Sequence, residues 1–151
     1  MQITFRCNRN TITPAILKAL KAASDPRPAL EAAGLSIVSR TLRAFDEPGM
    51  RPLPWAALKA SSIDAKVKAG KSDTLLKRDG VLCRSARITQ LDASSVTVGT
   101  DRFYAKFHQL GTKFMPARPF FPFTPAGDLT PKARPAVLRA IVRKLGIQAW
   151  R

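Results

Sequence analysis

The run Tyr104–Phe123, YAKFHQLGTKFMPARPFFPF, constrains this chain more than any other stretch. It holds the only Tyr and the only His, five of the eight Phe and three of the twelve Pro. Phe103, Phe107 and Leu110 recur at helical spacing with Tyr104 and His108 beside them, which predicts a short helix over 102–110 with its aromatic face in the core. Thr100-Asp101 is a suitable cap, and Gly111 ends the helix. ARPFFPF then reads as an extended segment. Proline donates nothing to a β-ladder, so Pro119 and Pro122 place that segment at a sheet edge or bulge. Edge strands carry unpaired backbone groups that a neighbouring subunit can complete.

The other segments lead to this run. Ile3, Phe5 and Cys7 alternate as a short strand over 2–7. Thr13-Pro14 opens a helix carrying Ile12, Ile16, Leu20 and Ala23. A second helix is predicted from Pro28 to Phe45, with Leu30, Gly34, Val38, Leu42 and Phe45 as its apolar stripe and Leu35 and Ile37 widening it. Gly34 costs that helix ~1 kcal/mol against Ala, which reads either as close approach of another backbone or as a neutral accident. From 46 to 73 periodicity disappears: DEPGMRPLPW holds three Pro and one Gly, and a Lys-rich polar stretch follows. Trp55 and Leu58 are the anchors of this long loop. A helical turn near 80–86 precedes a hairpin of 87–91 and 95–99, turning at Asp92-Ala93-Ser94. The last helix starts near Thr130-Pro131, with Val137 or Leu138, Ile141 and Leu145 inward. The pattern predicts an α+β fold, read as one domain over residues 1–151: N-terminal helices, a small antiparallel sheet, a short central helix and a basic C-terminal helix.

Charge restricts the partners. Twenty-six Lys and Arg against ten Asp and Glu give +16 at neutral pH. Such a surface attracts polyanions: nucleic acid, an acidic protein face or an anionic membrane. No apolar run approaches the ~20 residues that span a bilayer, and the N-terminus lacks the apolar core of a signal peptide, so the expected site of synthesis and residence is the cytoplasm. Cys7 and Cys83 are far apart, with no CxxC and no nearby His, and are expected to be free thiols.

Catalytic chemistry finds no footing in these residues. His108 is the one His, and a packing role suits it better than acid–base work. The carboxylates are scattered. Arg84 beside Cys83 would lower the thiol pKa, but no base is paired with it. No GxGxxG or P-loop is present. The expectation is a non-enzyme without metal or cofactor. Two binding readings remain. Arg118 amid Phe120 and Phe121, with the basic C-terminal helix, would suit a small nucleic-acid-binding protein. Alternatively, PFFPF and the Trp55 loop are apolar features flanked by Arg, as interface cores are. That reading assigns Trp55, Arg118, Phe120 and Phe121 to a subunit interface in a head-to-tail ring.

Several short motifs in order then resemble one family. FDEPGMRPLPW with Leu58, a Lys-rich stretch to Gly70, DGVLCRS, VTVGT, YAKFHQLGT and ARPFF follow one another from about Leu30 to Phe123. This order is similar to that of the phage virion morphogenesis family, the tail-completion or neck proteins of Mu-like tailed phages. The first 25 residues and the C-terminal helix match little. The resemblance implies a structural protein of the virion neck or tail, assembled in the host cytoplasm as a homo-oligomeric ring with other neck, portal-side or tail proteins, and with packaged DNA as a further contact. It implies no catalytic residues. By position Tyr104, His108, Gln109, Gly111 and Pro119 carry its structural motif: His108 and Gln109 supply hydrogen bonds between helix and loop, Gly111 permits positive φ, and Arg118 pairs with a neighbour's carboxylate.

Overall fold

A computed structural model describes residues 5–6, 25–72, 74–124 and 126–145. The helix expected at the N-terminus and Cys7 lie outside them. In chain order the elements are β1 (Phe5–Arg6), α1 (Arg27–Asp46), a 3-10 turn (Pro48–Met50), α2 (Ala60–Lys68), α3 (Val81–Arg84), β2 (Arg87–Leu91), β3 (Val96–Gly99), α4 (Ala105–Leu110) and α5 (Arg134–Lys144). The fold is α+β, as the pattern predicts.

Helix α1 is the spine. Pro28 sits in its first turn, where a missing N–H costs nothing. One side packs on α5 and another on the β2–β3 hairpin. Burial falls on Ala29, Leu30, Ala33, Gly34, Ile37, Thr41, Ala44 and Phe45. The buried face is therefore rotated from the expected stripe: Leu35 and Leu42 point outward. Small residues at 29, 33, 34 and 44 let two layers approach α1, and a stripe read only from large side chains misses them. At Gly34 an added Cβ would lie 2.8 Å from Ile88 Cδ1 and Val96 Cγ2. The close approach there comes from side chains of the hairpin, not from a second backbone.

The sheet has the order β1-β3-β2, both pairings antiparallel. Arg87 faces Gly99 and Leu91 faces Val96, with the register shifting between Ile88 and Gln90. Every residue of β3 is buried, as its central position requires. The 46–73 excursion is not a structureless loop. It contains the 3-10 turn and α2, whose nine residues include none that is buried. Its helical pattern is weak in sequence because little of it packs on anything.

The ARPFFPF segment departs most from expectation. It forms no ladder strand; its one bridge joins Phe123 to Leu129. Phe120, Phe121 and Phe123 are buried with Phe45, Trp55, Val98 and Val137 in the main core. Phe120 stacks at 5.4 Å from Phe45 and 4.9 Å from Phe121.

Candidate functional site

The motif residues converge where α4, the aromatic segment and the Trp55 loop meet. Gln109 is buried on α4. Its Oε1 accepts hydrogen bonds from the backbone N–H of Phe120 and of Phe121, each at 3.0 Å, and its Nε2 donates to Phe121 O at 3.4 Å. Proline prevents this segment from joining a ladder, so a side-chain amide satisfies the N–H groups that a neighbouring strand would otherwise take. Arg118 is buried too. Its backbone N–H donates to His108 O at 2.7 Å, and its guanidinium donates to Ala56 O at 3.0 Å and Ala57 O at 3.3 Å. Trp55 closes the ring of contacts, with Nε1 donating to Pro119 O at 2.8 Å. Arg51 lies 4.0 Å above the Trp55 ring.

Gly111 ends α4 at φ 77°. An added Cβ there would meet Ala117 N at 2.8 Å and Met115 O at 3.0 Å, so both its conformation and its space call for glycine. Tyr104 and His108 stack edge-on at 6.1 Å. His108 Nδ1 is buried without a hydrogen-bond partner. Burial lowers the imidazole pKa, and the nearby Arg118 charge lowers it further.

This geometry corrects the assignment of interface residues. Trp55, Arg118, Phe120 and Phe121 lie inside the subunit, bonded and packed within one chain. Arg118 spends its fork on backbone carbonyls, where a neighbour's carboxylate was expected. The aromatic face of α4 is the reverse case. Phe103, Phe107, Leu110 and Phe114 were expected inward or passed over, and they are 65%, 38%, 69% and 91% exposed. The inward face of α4 is made instead by Ala105 and Gln109. Phe114 stands on a tight turn in which Thr112 Oγ1 accepts the N–H of Phe114 at 3.2 Å and of Met115 at 3.1 Å. Exposed apolar residues spaced i, i+4 and i+7 signal this face in the sequence, but the spacing does not tell inward from outward.

Elsewhere the side chains offer little chemistry. Burial, joined by the Asp46 charge, raises the Cys83 thiol pKa against the opposing pull of Lys77 and Arg84. Among the described residues no three His, Cys, Asp or Glu gather to hold a metal ion, and no helix is long and apolar enough to cross a membrane.

The phage virion morphogenesis family model matches residues 7–145. The chain belongs to that family. The match reaches well beyond the 30–123 region whose motifs resemble it, to within a few residues of both ends. No curated protein and no solved structure shows a significant match. Membership in the phage virion morphogenesis family gives the chain a structural role in building the phage virion. In this member, Gln109, Gly111, Arg118 and Pro119 of the family-like motif form the clamp that carries the exposed α4 face.

Proposed function

We propose that this protein is a non-enzymatic subunit of the phage head–tail connection, completing or closing the neck or tail as a homo-oligomeric ring beside other neck or tail proteins. The observation that carries this reading is the exposed apolar set Phe103, Phe107, Leu110 and Phe114, on and beside a helix whose Gln109 is tied to Phe120 and Phe121. Exposed aromatics in such concentration are costly to leave in water and mark contact surfaces. A ring needs two different surfaces meeting head to tail. This face is one; the second includes the outward Ile63 and Val67 of α2, one turn apart.

Light scattering on the purified full chain tests the reading. A mass several times that of one chain is expected, collapsing toward the monomer in Leu110→Asp and Phe114→Asp while circular dichroism is unchanged. A monomeric wild type at all concentrations, also when mixed with phage particles lacking it, overturns the proposal.

A further inference from the structure

Helices α1 and α5 leave an open groove of about 900 Å³ on the side away from the hairpin. Its rim carries Arg40, Arg43, Arg139, Arg143 and Lys144, and among the described residues Glu31 is the one acid on its lining. Of these cations only Arg43 has an ionic partner among the described residues, Glu47 at 2.8 Å. Arg40 is the most enclosed. Its Nε is buried with no hydrogen-bond partner, and the charges of Arg43 and Arg139 bear on it. Gathering guanidinium groups without a carboxylate between them is unfavourable, and an incoming oxyanion that meets the accessible part of the Arg40 fork offsets that repulsion. Residues 1–24 and 146–151 contain no Asp or Glu, so those segments bring no side-chain carboxylate to it.

The floor narrows the ligand class. Ala32, Ala136 and Ala140 line it, and Leu35 stands 56% exposed beside them. A phosphodiester chain has no apolar face to cover Leu35, and among the described residues the groove has no aromatic side chain on which a base would stack. A helix with carboxylates along its flanks and alkyl side chains beneath matches both rim and floor. Among the described residues a second copy of this chain does not supply it. Its exposed helix α2 has the apolar pair Ile63 and Val67 but is flanked by Lys59, Lys66, Lys68 and Lys71 against a single Asp64.

We infer that the α1–α5 groove is a docking site for an acidic amphipathic helix of a different protein, whose carboxylates engage Arg40 and Arg139 and whose apolar stripe covers Leu35. This deepens the connector reading by naming the chemistry of one partner, and rests on that reading only for where the partner is found.

Fluorescence anisotropy on the full chain at about 0.15 M salt, where weak surface attraction is screened, tests it. The probes are a labelled Glu/Leu amphipathic peptide of roughly five turns, its Gln/Leu counterpart, and a duplex DNA of similar length. The Glu/Leu peptide is expected to bind best, about tenfold more weakly to the Arg40→Gln/Arg139→Gln pair and more weakly to Leu35→Ser. Lys66→Gln/Lys68→Gln is expected to leave binding unchanged. The proposal is overturned if DNA binds more tightly and loses affinity with the same Arg pair, if the Gln/Leu peptide binds equally, or if the groove variants leave peptide affinity intact. Light scattering on the same samples separates the two ideas: loss of the ring with peptide binding intact sinks the connector reading alone, and the reverse sinks the groove alone.

Discussion

Gln109 Oε1 takes the N–H groups of two successive residues, Phe120 and Phe121, at 3.0 Å each. One side chain thereby replaces a strand partner for a segment that its prolines exclude from a ladder. Gln109→Ala removes the acceptor and strands two buried donors, at about 1–3 kcal/mol each. A loss of roughly 2–6 kcal/mol in urea-unfolding stability is expected, with the secondary-structure spectrum of any remaining folded fraction little changed.

Arg118→Lys tests the second tie of the clamp. Lysine keeps the charge but has no planar fork to reach Ala56 O and Ala57 O together. A loss of about 1–3 kcal/mol is expected in the same assay. A stability equal to wild type would show that the Arg118 fork adds nothing to the Trp55–Pro119 hydrogen bond and the packing that hold this loop.

Glycine replacements separate crowding from helix propensity. Gly34→Ala gains ~1 kcal/mol of propensity but forces its methyl into Ile88 and Val96. Overpacking costs about 1–3 kcal/mol, so a net loss is expected. Gly49 has nothing within 4 Å of an added Cβ, and its Ala variant serves as a near-neutral control in thermal melts.

His108 makes a prediction about pH. Burial lowers its folded pKa below the ordinary value of about 6.5. Above that value both folded and unfolded states hold a neutral ring. As pH falls below it the unfolded chain takes up a proton first, so stability drops until pH passes the folded pKa. His108→Gln should flatten this part of the stability profile between about pH 7 and pH 5. An unchanged slope in unfolding titrations would remove His108 as the cause.

Much of the fold is legible in the sequence, for physical reasons that differ by element. Pro28, an apolar period of 3.6 and Phe45 mark α1 within a residue or two of Arg27–Asp46. Alternation and β-branched residues mark the hairpin. The α2 helix goes unmarked because it buries nothing and so carries no strong stripe. The exposed aromatics of α4 mislead for the opposite reason: Phe103, Phe107 and Leu110 have the spacing of a core face, yet they face solvent. Gln109, the residue that faces inward, is polar and looks like surface until its partners are known.

The sequence by itself determined the α+β class, the positions of α1, the hairpin and α5, the strong positive charge, and the motif order that resembles the phage virion morphogenesis family. These rest on local spacing, on backbone preferences of Pro and Gly, and on composition, all properties of neighbouring residues. The tertiary structure alone decided that Phe120 and Phe121 belong to the core, that the α4 aromatics lie outside it, and that Arg40 and Arg139 face one groove. Those outcomes depend on contacts between segments some 60 to 100 residues apart, such as Trp55 with Pro119 and helix α1 with α5. Periodicity names a face; only the packing of distant segments decides which side of the molecule that face occupies.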